Sequence, residues 1–129
     1  CKNAIMVAEY LSKHDKISNV IHPSVQVGNS KKLADTYLKG GFGAMIGCEL
    51  KGGMESGKNF IDALKMFFHV ANIGDTRSLA IHPASTTHSQ LSTEEQLQSG
   101  VTEGYIRLCI GIEHIDDIIA DLDQALALA

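Results

Sequence analysis

The chain predicts an α+β fold in which a small, mainly antiparallel sheet is covered by helices. Three observations lead there. The runs Gly43–Leu50 and Tyr105–Ile110 alternate apolar side chains with small or polar ones at the period of a strand. The runs around Ala4–Leu11, Phe60–Phe68 and Ile115–Leu126 repeat apolar residues at the three- and four-residue spacing of amphipathic helices. The resulting order (helix, strand, helix, strand, helix, strand, strand, helix) is too irregular for a parallel α/β wind.

Taken in order, Ala4, Val7, Ala8 and Leu11 define a helix from residue 1 to about residue 13, ended by the polar stretch Lys13–Asn19. Val20 and Ile21, before Pro23, read as a short strand. Ser30 is the expected N-cap of a helix with Leu33, Ala34, Tyr37 and Leu38 on one face, and Gly40 and Gly41 follow its end near Leu38. In the strand at 43–50, Ala44, Ile46, Cys48 and Leu50 share one face, Met45, Gly47 and Glu49 the other. Lys51, Gly52 and Gly53 make a turn. Phe60, Ile61, Leu64, Phe67 and Phe68 then mark a central core helix over 55–70. The long segment Asn72–Gly104 is polar and holds only a short apolar piece, Leu79–Ile81, and a helical turn from Ser92, whose Glu95 completes a capping-box spacing. Ordered connections of this length tend to carry function. In the strand Tyr105–Ile110, Ile106, Leu108 and Ile110 oppose Tyr105, Arg107 and Cys109. The last helix carries Ile115, Ile118, Ile119, Leu122 and Leu126, with Asp116 and Asp117 where the helix dipole favours negative charge.

The 129 residues, 44% apolar and 20% charged, suit one globular domain. Eleven Lys and Arg against fifteen Asp and Glu give a net charge of -4, and no basic cluster is present to neutralise a phosphate backbone, so no nucleic-acid partner is expected. No apolar run approaches the roughly 18 residues that span a bilayer, so no membrane association is expected either. Three cysteines, an odd number without CxxC spacing, argue against a disulfide framework and favour a reducing, cytoplasmic setting. The chain begins on Cys1 inside a helical pattern, and is expected to be an excerpt of a longer polypeptide.

Among the residues that could carry chemistry, the run Gly-Gly-Met-Glu-Ser-Gly-Lys-Asn at 52–59 imitates a phosphate-cradling loop, but Asn59 lacks the hydroxyl that would ligate magnesium and Glu55 would face the phosphates. It reads as a glycine turn into a helix. Six histidines include no pair at helical ligand spacing, and His82 and His88 are the closest two within a loop; hydrogen-bonded structural roles are expected, and no metal. Cys48 and Cys109 lie in apolar strands without a neighbouring base and read as small hydrophobes. Arg107 differs, because a guanidinium in mid-strand must find an anion or water. Its planar fork suits bidentate capture of a carboxylate, and an internal ion pair with an Asp or Glu is an equal alternative. Ser78 shares the alternation face of Ala80 and His82 and offers a hydroxyl.

The stretch Asn72-Ile-Gly-Asp-Thr-Arg-Ser-Leu-Ala-Ile-His-Pro-Ala-Ser-Thr-Thr-His88, with Gln90-Leu91, Glu94-Glu95-Gln96-Leu97, Gly100-Val101-Thr102 and Ile106-Arg-Leu-Cys-Ile-Gly-Ile-Glu-His-Ile115, closely resembles the C-terminal domain of the Cys/Met-metabolism pyridoxal-phosphate enzymes. The resemblance extends to Gly-Phe-Gly-Ala at 41–44, Lys-Gly-Gly at 51–53 and Phe-Ile-Asp-Ala-Leu at 60–64, and so covers essentially the whole chain. Cys109 and Phe68 stand where the family often has Ser, and the strand at Met45–Cys48 is smaller than usual. The resemblance implies that residues 1–129 form the C-terminal, substrate-carboxylate-binding domain of a fold-type I transferase. Its partners would be its own large N-terminal domain and further copies in a homotetramer. Within the family it points to the members that replace the acetate of O-acetylhomoserine with sulfide to give homocysteine, in methionine biosynthesis; Thr-Thr-His-Ser-Gln-Leu at 86–91 favours these over the lyases. It assigns the substrate α-carboxylate to Arg107, with Ser78 nearby. Pyridoxal phosphate would be held by a lysine outside this chain, since no lysine here matches that motif, and the fragment alone is expected to be inactive. The alternatives are a sister reaction (cystathionine γ-synthase, cystathionine or methionine γ-lyase) or a non-enzymatic module that binds amino acids through the same arginine.

Overall fold

The computed structural model describes all 129 residues. The chain runs α1 (Lys2–Leu11), β1 (Ile17–Ile21), α2 (Gly28–Tyr37), β2 (Met45–Leu50), α3 (Gly53–Ala63), β3 (Phe68–His69), β4 (Leu79–Ile81), a 3-10 turn (Pro83–Ser85), α4 (Thr93–Gln98), β5 (Tyr105–Cys109) and α5 (Ile115–Leu128). The strands form one sheet in the order β1-β2-β5-β4-β3. Every neighbouring pair is antiparallel except β3–β4. This is the expected α+β architecture.

One face of the sheet is buried. Ile46, Cys48 and Leu50 of β2, with Ile106, Leu108 and Ile110 on and after β5, meet Ala4, Val7, Ala8 and Leu11 of α1, Phe60 and Ile61 of α3, and Ile118, Leu122, Ala125 and Leu126 of α5 in a single core. Removing this apolar surface from water is the main drive for folding. α2 buries only Ala34. At α4 the expected capping box is present: the Ser92 hydroxyl accepts from the Glu95 backbone N–H, and the Glu95 carboxylate accepts from the Ser92 N–H at 2.8 Å.

The central helix is shorter than its apolar period suggests. Leu64 turns to an extended conformation, so α3 ends at Ala63, Phe67 enters the core from the following loop, and Phe68 starts the edge strand β3. The reason is a distant one. Asp121, buried on α5, accepts hydrogen bonds from the backbone N–H groups of Lys65 (2.9 Å), Met66 (2.9 Å) and Phe67 (3.3 Å), which draws the chain out of the helix. Likewise α2 begins at Gly28, following an extended Val27 without a side-chain cap, so Ser30 lies inside the helix and is not its cap. The glycine run at 52–59 forms a turn and the first half of α3. Gly57 lets that helix pass directly against His82, since a Cβ there would lie 2.5 Å from the imidazole Nε2. His82 is itself structural, with Nδ1 bonded to the Ser85 hydroxyl (2.8 Å) and Nε2 to the Glu103 carbonyl (2.7 Å).

Substituting Asp121→Ala leaves three backbone donors of the 65–67 loop without their acceptor. The expected loss of stability is about 2–4 kcal/mol, read from the midpoint of urea unfolding.

Candidate functional site

Strand alternation divides β5 between two environments. Ile106 and Leu108 point into the core, so Tyr105, Arg107 and Cys109 must point to the other face. The cross-strand register makes rows on that second face. Ile21, Gly47, Arg107 and Ile81 form one row; Met45, Cys109, Leu79 and Phe68 form the next; Asn19, Glu49 and Tyr105 form a third. Arg107 is the only cation in the three rows. Ile21, Met45 and Phe68 are exposed.

The guanidinium is poorly satisfied. Its Nη2 donates to the Asn72 carbonyl at 3.3 Å, while its Nε is buried and has no partner. No carboxylate lies within ion-pair distance of it. The acids of the adjacent strap and strand are committed elsewhere: Asp75 pairs with Arg77 (3.2 Å) and Glu49 accepts from the Thr102 hydroxyl. The internal ion pair that the sequence allowed is therefore not formed. A half-buried guanidinium with unpaired donors is chemically able to take an anion, and its flat fork suits a carboxylate.

Asn72, which sequence reasoning missed, begins the strap Asn72–Arg77 beside this group. Its carbonyl also lies 3.6 Å from the Cys109 Sγ, and its own side-chain Oδ1 accepts from the Ile73 N–H at 2.9 Å. Burial pushes the Cys109 thiol up, with the guanidinium opposing, and burial drives Cys48 to about 12, so neither is a ready thiolate. Below the strap, Ala44, Met45, Ile73, Cys109 and Ile110 help line a cavity of about 280 Å³. A larger cavity of about 460 Å³, between the end of β1 and α2, is mostly apolar and holds no charged side chain.

Ser78 occupies a different place. Its side chain is on the Ala80 side of β4, away from Arg107. Its hydroxyl donates to Glu113 at 2.9 Å and accepts from the Gly111 N–H at 3.0 Å, while its own N–H donates to Glu113 at 2.6 Å. Asn3 closes the junction by donating to the carbonyls of Gly111 (3.2 Å) and Glu113 (2.9 Å). The structure thus does not bring the Ser78 hydroxyl to the guanidinium; it uses it to pin the strap's C-terminal end to the turn after β5. The partnership of Ser78 with Glu113, 35 residues away, has no local signal in the chain, and neither has that of Arg107 with Asn72.

The remaining polar groups make no second centre. No three His, Cys, Asp or Glu side chains converge as metal ligands, and no helix is long and apolar enough to cross a membrane. All three cysteines are free.

A family model described as Cys/Met metabolism PLP-dependent enzyme matches residues 1–127. An O-acetyl-L-homoserine sulfhydrylase of Leptospira meyeri is 53% identical over 96% of this chain and 28% of its own length. A homocysteine synthase of Schizosaccharomyces pombe is 48% identical over 99% of the chain and 30% of its own. An L-methionine gamma-lyase of Fusobacterium nucleatum is 46% identical over 98% and 32% respectively. A crystal structure from Campylobacter jejuni, assigned as an O-acetylhomoserine (thiol)-lyase, superimposes with a TM-score of 0.89 at 42% identity, over 98% of this chain and 30% of that one. It carries pyridoxyl-lysine phosphate, outside the matched segment. The chain spans about 30% of the length of the relatives it matches.

Because the Ser78 hydroxyl faces away from Arg107, Ser78→Ala is expected to lower stability by about 1–3 kcal/mol through the orphaned Gly111 N–H. Thermal melts of the substituted and unaltered chains check this.

Proposed function

The chain belongs to the Cys/Met metabolism PLP-dependent enzyme family, and from that premise we propose that it is the C-terminal, substrate-carboxylate-binding domain of an enzyme that replaces the acetate of O-acetylhomoserine with sulfide, giving homocysteine. The observation that carries this reading is Arg107. Its guanidinium stands on the sheet face opposite the helices, with a buried Nε unpaired and no acidic partner. An amino-acid α-carboxylate supplies what is missing, two oxygens in the plane of the fork.

When bound, pyridoxal phosphate supplies an electron sink for reactions at the substrate α-carbon. The residues of this chain do not fit that cofactor. Every lysine is exposed or only half-buried, and those that are bonded reach surface carbonyls or Asp35, so none is a desolvated amine able to hold it. In this proposal the anchoring lysine lies in a larger domain outside this chain, against which the Arg107 face would pack, in a homo-oligomer proposed to be a tetramer.

What this chain contributes is placement. Arg107 fixes the carboxylate and with it the orientation of the α-carbon, converting a free encounter into a held geometry. The Asn72 carbonyl accepts from one guanidinium nitrogen, Nη2, at 3.3 Å. Ser78, through Glu113 and Gly111, holds the strap that carries Asn72. A second reading, γ-elimination from methionine by the same clamp, is supported by the 46% identity to the methionine gamma-lyase.

Two experiments on the cofactor-loaded full-length protein test the proposal. Homocysteine from O-acetylhomoserine and sulfide is the expected product; methanethiol from methionine as the dominant activity would favour the second reading. Arg107→Lys keeps the charge and loses the paired hydrogen bonds, and should cost about 2–4 kcal/mol in kcat/KM, roughly 30- to 1,000-fold, with cofactor content and melting temperature unchanged. A variant that is destabilised but kinetically normal would remove Arg107 from the clamp.

A further inference from the structure

Tyr105 and Gly47 stand out beside Arg107. Gly47 is directly opposite Arg107 across the β2–β5 ladder, and Tyr105 precedes Arg107 by two residues on the same face. Tyr105 is therefore the diagonal neighbour of Gly47, within reach of an aromatic side chain. Its ring does lean across: a Cβ on Gly47 would lie 2.6 Å from the Tyr105 Oη, 2.8 Å from Cε2 and 3.0 Å from Cζ. The phenol end of Tyr105 thus fills the space that any other residue at position 47 would claim. The hydroxyl makes none of the hydrogen bonds of the site, which involve only Arg107 and Cys109 with the Asn72 carbonyl. Burial and the neighbouring Cys48 raise the phenol's pKa while the guanidinium pulls it down, so Tyr105 stays a neutral O–H donor at physiological pH and lies within the field of Arg107.

We infer that Tyr105 is a second donor to the carboxylate held by Arg107, and that Gly47 is the residue that makes room for it. The inference rests on the carboxylate reading of Arg107. A guanidinium flanked by a phenol O–H presents donors to both oxygens of a carboxylate from two directions, whereas the Asn72 carbonyl on the other side repels an anion. The anion is thereby steered to the Tyr105 side of the fork. Gly47 is needed because an alanine Cβ would displace the ring end from its place beside Arg107.

The test uses the cofactor-loaded full-length protein and two probes, glycine, which has the α-carboxylate and no side chain, and glycinamide, which lacks the carboxylate. Binding is followed by the cofactor's absorbance. Tyr105→Phe should weaken glycine about 10- to 150-fold, the range of one hydrogen bond to a charged group, and leave glycinamide and the melting temperature unchanged. Gly47→Ala should weaken glycine similarly and lower the melting temperature. Adding Tyr105→Leu to Gly47→Ala should restore the melting temperature but not glycine binding. If Arg107→Lys weakens glycine while Tyr105→Phe does not, the role given to Tyr105 is overturned and that of Arg107 stands. If neither weakens it, the carboxylate reading itself falls, and this inference with it. Equal loss for glycine and glycinamide would also overturn it, by showing a disturbance unrelated to the carboxylate.

Discussion

Everything in this molecule that bears on function depends on the pairing of β2 with β5. The two strands meet antiparallel from Met45 opposite Cys109 to Glu49 opposite Tyr105, at the middle of the five-stranded sheet. Their side chains alternate, so burying Ile46, Cys48, Ile106 and Leu108 beneath three helices forces Gly47, Tyr105, Arg107 and Cys109 onto the opposite face. A slip of one residue would exchange the two sets and place a guanidinium in the core. The hydrophobic core and the face that carries Arg107 are thus two sides of one register.

Long-range polar contacts then fix the segments that the core does not reach. Asp121 ends α3 by taking three N–H groups of the next loop. Asn3, Ser78, Gly111 and Glu113 join the start of α1, the start of β4 and the turn after β5 at one junction. Such buried networks are costly when incomplete, and these are complete. Through the junction the strap from Asn72 to Arg77 is held at the guanidinium, so Ser78 and Arg107 are mechanically linked although their side chains point apart.

Arg107 is the exception to this completeness. Its Nε is one of only two buried side-chain polar atoms in the chain without a partner. A buried donor left unsatisfied costs stability; under the proposed reading the substrate carboxylate would offset part of that cost.

Much of this was readable from residue order. The periods of 3.6 and 2 placed α1, α5, β2 and β5, because each buries one face against the same core. The capping box at Ser92–Glu95 was a local pattern with a local outcome. The place of the isolated arginine was legible for the same reason, since alternation alone puts Arg107 on the face opposite Ile106 and Leu108. The spacing of Phe67 and Phe68 misled, because an apolar period cannot show that Asp121, more than fifty residues away, will unwind the helix. That Arg107 would form no internal ion pair was equally illegible, because it turns on Asp75 and Glu49 being held by Arg77 and Thr102. The partnerships of Asn72 with Arg107, Ser78 with Glu113 and Gly47 with Tyr105 lie beyond any local pattern, because a hydrogen bond or a van der Waals contact is set by separation in space, and only the folded sheet brings those groups together.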